Sequence, residues 1–156
     1  MKTQIGIKDG PKAEIAHQLG KLLADEYVLY TKTRHAHWNA EGPDFYEKHN
    51  MFEDQYNQLA EVIDEAAERI RMIGHYAPGT LHEFLELTEL TESTRESGDS
   101  KEFMQELLAD HEKIASRLRE QIDPINDKGK DLGTADFLTG VLRMHEKMAW
   151  MLRAHL

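Results

Sequence analysis

The chain has no cysteine. Disulfides and thiolate metal sites are therefore excluded, and any metal must be held by His, Asp or Glu. Only four prolines occur, none in a Ser/Gly-rich linker, so no domain boundary is visible. The opening MKTQIGIKDG has no apolar leader segment, and no stretch reaches the length of apolar chain that spans a bilayer. These absences predict a cytoplasmic protein with no membrane association. Positive charge is also scarce: 19 Lys and Arg face 29 Asp and Glu, a net charge of −10 with His neutral. Such a surface repels phosphate and anionic lipid and attracts cations. The 156 residues predict one domain over 1–156 with a sizeable core, residues 1–10 being a short flexible lead-in.

What is present is helical periodicity. Ile15, Leu19, Leu22, Leu23 and Tyr30 predict a first helix from Pro11 to about Trp38. Asn39 to Gly42 read as a turn. Pro43 then suits the first turn of a long helix whose apolar stripe is Phe52, Tyr56, Leu59, Ile63, Ala66, Ile70 and Ile73. Gly74 ends it, and Pro78-Gly79 makes a turn. Thr80 with Glu83 forms a capping box opening a short helix through Leu81, Phe84, Leu85 and Leu87. Residues 91–99 are polar and loop-like. Asp99 with Glu102 reads as a second capping box, before a helix through Phe103, Leu107, His111, Ile114, Leu118 and Ile122 that Pro124 ends. A last helix runs from about Thr134 through Phe137, Val141, His145, Met148 and Leu152. His111 reads as a hydrogen-bonded core or interface histidine, Trp150 as packing, and the lone Glu14-x-x-His17 as surface. The sum is an all-α, ferritin-like four-helix bundle. Its second and third long helices are parallel, and a short extra helix lies in the central crossover.

Chemistry concentrates in residues 37–68, HWNAEGPDFYEKHNMFEDQYNQLAEVIDEAAE. His49, Glu53, Asp64 and Glu68 fall within an arc of roughly 100° on one side of the long helix, centred about 120° from its apolar stripe. His49/Glu53 and Asp64/Glu68 are each one turn apart. The two pairs lie about 22 Å apart along the axis, so they cannot share an ion within one helix. A second copy, antiparallel across a two-fold axis, would bring His49 and Glu53 of one chain to Asp64 and Glu68 of the other and create two sites. His37 can fold back to join His49. This mixed nitrogen and oxygen set suits Fe(II) or Zn, and Mn less well. A Glu-rich helix also carries one-sided carboxylates simply as a solvated face, and spacing alone leaves both readings open.

The motif HWN, then GPDF, then His49 with a carboxylate four residues on, then DEAAERI, resembles the Dps family, or mini-ferritins; HEKMAWML at 145–152 is similar to that family's last helix. The resemblance covers roughly 11–156. It implies a hollow dodecameric shell that oxidises iron, with hydrogen peroxide as preferred oxidant and O₂ slower. The ferroxidase centres would be shared between chains, with His37 and His49 from one and Asp64 and Glu68 from its partner. Glu53 stands where many members have Asp. Trp38 matches a Trp beside the centre that is thought to meet radicals formed during oxidation, and ordinary packing is the competing reading. Asp136 matches an acidic residue of an iron pore on the three-fold axis; Asp127 and Asp131 lie in the same neighbourhood, where a solvated acidic loop competes with the pore reading. Many members bind DNA through a Lys/Arg-rich tail. This chain shows none, so strong DNA binding is not expected. The alternatives are a non-enzymatic nucleoid protein with incidental metal binding, and a plain helical interaction module.

Overall fold

The protein is described here from a computed structural model. It covers residues 3–156, and Lys2, part of the predicted lead-in, lies outside it. Five helices follow in order: α1 (Asp9–Asn39), α2 (Phe45–Met72), α3 (Leu81–Leu87), α4 (Ser100–Asp127) and α5 (Leu132–Arg153). α1 starts two residues before Pro11. The segment ahead of it touches the bundle, with Thr3 Oγ1 donating to the Ile73 carbonyl and Ile7 packed against the core.

Each element ends for a readable local reason. Gly42, at φ +118°, takes the backbone conformation that the turn between α1 and α2 demands and that a side chain resists. At the end of α2, His75 N–H donates to the Ile70 carbonyl and Gly74 N–H to Arg71, with Gly74 at φ +97°; this is a Schellman cap. The box at α3 forms as read, Glu83 N–H donating to Thr80 Oγ1 and Thr80 N–H to the Glu83 carboxylate. The Gly79 N–H, then the Thr80 hydroxyl and N–H, all donate to the Glu83 carboxylate and hold it below its ordinary range.

Three local expectations are corrected. Asp99 caps α4 by accepting from Lys101 N–H, but Glu102 turns away to pair with Arg95, so the box is only half made. Pro124 does not end α4. It sits inside the last turn, where its missing N–H costs one bond, while its carbonyl still accepts from Lys128 and Gly129. α5 begins at Leu132, because Asp131 caps it from the preceding position by accepting from Thr134 N–H at 2.9 Å.

Cross-links give the helix directions. Asp25 pairs with Arg117, and seven residues later Lys32 pairs with Asp110 and Glu106, so α1 and α4 run antiparallel. Arg69 pairs with Asp131, and Glu47 with His155, so α2 and α5 run antiparallel. The tight turn makes α1 and α2 antiparallel too. Hence α2 and α4 are parallel, and residues 73–99 cross the bundle between them. Glu41 N–H donates to the Gly98 carbonyl at 2.8 Å, tying the end of this crossover to the α1–α2 turn.

The core is one cluster of Leu19, Leu22, Leu23, Leu29, Phe52, Leu59, Ile70, Phe103, Leu107, Ile114 and Leu118 with their neighbours. Along α2 the buried face is offset from the predicted stripe. Phe52, Leu59, Ala66, Ile70 and Ile73 are buried, while Tyr56 and Ile63 are only half-buried and Gln55 and Val62 go inside. At about 100° per residue, Gln55, Leu59, Val62, Ala66 and Ile73 all lie to one side of Phe52, whereas Tyr56 and Ile63 lie to its other side, at the edge of the buried arc. Tyr56 is thereby delivered to the edge of the core, beside His37.

Candidate metal centre

Two histidines meet where α1 ends and α2 begins. His37 Nδ1 lies 2.8 Å from the His49 carbonyl oxygen, and His49 Nδ1 lies 2.9 Å from the His37 carbonyl oxygen. A carbonyl only accepts, so both Nδ1 atoms carry hydrogen. In the neutral rings both Nε2 atoms are therefore bare lone pairs, the state in which imidazole binds a metal. The rings stack at 3.7 Å between centroids. The short turn produces this arrangement by folding the last turn of α1 against the first turn of α2.

Glu53 follows His49 by one helical turn and is half-buried. Its Oε1 accepts from the Tyr56 hydroxyl at 3.1 Å. The Tyr56 ring stands edge-on to His37 at 5.2 Å and edge-on to Tyr30 at 6.0 Å. Desolvation, reinforced by the bond to Glu53, holds the Tyr56 phenol above its ordinary value, so it remains a donor. The Arg34 guanidinium lies 5.1 Å from the Tyr56 ring centre, 5.5 Å from Tyr30 and 5.0 Å from Trp38. It also donates to the Tyr30 hydroxyl at 2.6 Å. Tyr56 and Arg34 were not among the predicted site residues. Tyr56 was legible by its three-residue spacing from Glu53, but its place in the apolar stripe hid it; Arg34 carried no signal.

Asp64 and Glu68 are both exposed, one turn apart, farther along α2. The fold thus pairs His37 with His49, places Glu53 one turn beyond His49 on α2, and leaves Asp64 and Glu68 farther along the same helix. Among the described residues, no three metal-binding His, Asp or Glu side chains converge within the chain. Trp38, next to His37 near the end of α1, is 63% exposed and lies 5.0 Å from the Arg34 guanidinium.

The remaining candidates divide. Asp136 and Asp127 are exposed. Asp131 is no part of a solvated loop: it is buried, paired with Arg69 at 2.7 Å, and its carboxylate holds Thr134 N–H and hydroxyl. Glu14 and His17 are exposed, as read. His111 is fully buried and shares a 2.8 Å Nδ1–Nδ1 hydrogen bond with His145, whose Nε2 bonds to the buried Glu26 at 2.7 Å. Burial, then the neighbouring His145, drives the His111 pKa well below the ordinary histidine value. Glu26 is a core polar residue that nothing in the sequence pattern singled out.

A ferritin-like domain model matches residues 16–156. An uncharacterized low temperature-induced protein of Nostoc sp. is 39% identical over 153 residues, covering 98% of this chain and 86% of its own. The DNA protection during starvation protein of Helicobacter pylori is 36% identical, covering 88% of this chain and 95% of its own. Among solved structures, this fold is similar to a Dps protein of Vibrio cholerae, described as a member of a broad superfamily of ferritin-like diiron-carboxylate proteins. The TM-score is 0.91 at 31% identity, over 99% of this chain and 96% of the other.

Proposed function

Because the chain belongs to the Dps family of ferritin-like proteins, we propose that it stores and detoxifies iron. It oxidises Fe(II) to Fe(III) at centres shared between two subunits and keeps the ferric mineral inside a dodecameric shell in the cytoplasm. The observation that carries this reading is the reciprocal lock of His37 and His49, which leaves two imidazole nitrogens bare, with Glu53 one helical turn beyond His49. Such a donor set is incomplete for an iron ion, and Asp64 and Glu68 are the exposed carboxylates on the same helix that a two-fold partner would supply.

Iron is the substrate here. The histidines anchor Fe(II), and the carboxylates stabilise the higher charge of Fe(III). Hydrogen peroxide is the favoured oxidant. Two Fe(II) ions each give up one electron, the O–O bond breaks, two protons are taken up and two waters leave. No hydroxyl radical is released, which is how the reaction protects the cell. Trp38, next to His37 in the chain, is the residue we assign to intercept a stray radical. Exposed acidic residues, Asp136 foremost, draw Fe(II) to a pore on the three-fold axis.

The test is anaerobic oxidation of Fe(II) by stoichiometric peroxide, followed by ferric absorbance. The native protein should react fast, and Asp64→Ala with Glu68→Ala should lose the reaction while staying assembled. Equal rates in both would reduce these carboxylates to a solvated face. The protein from Helicobacter pylori is named for DNA protection. For this chain, protection follows from iron removal rather than from binding DNA, since −10 per chain opposes phosphate.

A further inference from the structure

Glu53 is one methylene longer than Asp and has an additional rotatable bond. A carboxylate with that freedom loses more entropy when it is fixed on a metal. The structure shows what restrains it. The Tyr56 hydroxyl, three residues on, holds Oε1 at 3.1 Å and leaves Oε2 as the free oxygen. The Tyr56 ring is itself held on several sides. It stands edge-on to His37 and Tyr30 and carries the Arg34 cation 5.1 Å from its centre. Arg34 is fixed in turn by its bond to Tyr30. A cation over a phenol ring withdraws electron density and makes the O–H a better donor.

We infer that Tyr56 is a positioning residue: it fixes the Glu53 carboxylate so that one oxygen serves a metal ion together with His37 and His49, and Arg34 braces the ring that does so. This rests on the iron-centre reading above. Partners one step removed from a metal ligand commonly change metal affinity by about 10–100-fold when lost. Tyr56→Phe keeps the ring, and with it the contacts to His37, Tyr30 and Arg34, while deleting only the hydroxyl. Its effect should therefore pass through Glu53 alone.

The experiment is a titration of the assembled, metal-free protein with Zn(II) by calorimetry, and with Co(II) by visible absorption. Four forms are compared: native, Tyr56→Phe, Glu53→Asp, and the two changes combined. Tyr56→Phe should weaken Zn(II) binding about tenfold and shift the Co(II) band. In the Glu53→Asp background, where the shorter carboxylate no longer reaches the hydroxyl, removing it should change affinity less than about twofold. Equal losses in both backgrounds would mean that Tyr56 only supports packing, and no loss in either would mean that Glu53 needs no restraint; each overturns the inference. The Asp64→Ala, Glu68→Ala variant is titrated alongside. Undiminished Zn(II) binding there would sink the shared-centre reading, while the coupling of Tyr56 to Glu53 is still read from the other four.

Discussion

A buried histidine is stable only in one protonation state, and His111 shows which. Its pKa lies well below the ordinary value near 6.5, because charging it costs desolvation and sets it against His145. The unfolded chain then binds the extra proton and the folded chain does not. Stability is full above about pH 6.5 and falls as the pH drops below it, by up to about 1.4 kcal/mol per pH unit for one proton. Thermal unfolding of the native protein should therefore drop steeply between pH 7 and 5, and His111→Gln should flatten the profile. An unchanged slope in the variant would assign acid sensitivity elsewhere. Asp131 makes a second residue-scale case. Its carboxylate serves Arg69, the Thr134 hydroxyl and the first turn of α5 at once. Asp131→Ala should lower unfolding stability by about 3 kcal/mol, combining a lost cap with a guanidinium left without its partner. Denaturant titration would measure it, and a loss below about 0.5 kcal/mol would mean that water replaces the carboxylate.

At the scale of the element, the turns decide where the chemistry sits. The turn after α1 is short enough that His37 and His49, twelve residues apart, each reach the other's carbonyl. The parallel arrangement of α2 and α4 follows from the long crossover, which α3 interrupts with its own caps. Gly74 sets where α2 stops and the crossover leaves. Gly74→Ala would force a side chain into a left-handed backbone, with a cost of about 1–2 kcal/mol in denaturant titration. A neutral result would show that the cap relaxes to a different φ.

For the whole molecule, the distance along α2 is the governing fact. Asp64 and Glu68 lie about 22 and 28 Å from His49 at 1.5 Å per residue, so one chain cannot assemble the proposed centre. Two damaged chains should then repair each other. Chains carrying His49→Ala with Glu53→Ala, refolded with chains carrying Asp64→Ala with Glu68→Ala, should recover peroxide-driven iron oxidation. Each mixed dimer would regain one intact centre. No recovery in verified mixed assemblies would refute a centre shared across the two-fold axis. Charge makes a second prediction at this scale: with −10 on every chain, a gel shift in moderate salt at neutral pH should show no retarded DNA.

Much of the architecture was legible in the chain because helices are local objects. The apolar periodicity located all four long helices, and Gly74, Thr80 and Glu83 marked their ends or caps through bonds only a few residues long. His49, Glu53, Asp64 and Glu68 could be placed on one face of α2 for the same reason. Local pattern failed where a distant partner competed. Arg95 took Glu102 from its cap, and Arg69 with Thr134 made Asp131 a buried structural residue. Tyr56 was drawn into the core stripe on paper but lies at its edge in space, because the buried arc of α2 is centred on the other side of Phe52, where Gln55 and Val62 go inside. The sequence by itself determined the helices, their order and the donor atoms available. Only the tertiary structure decided which ring nitrogens stay bare, what restrains Glu53, and how the Glu26–His145–His111 chain is buried. Those depend on carbonyls, hydroxyls and cations brought together by chain closure, and no spacing along the chain encodes them.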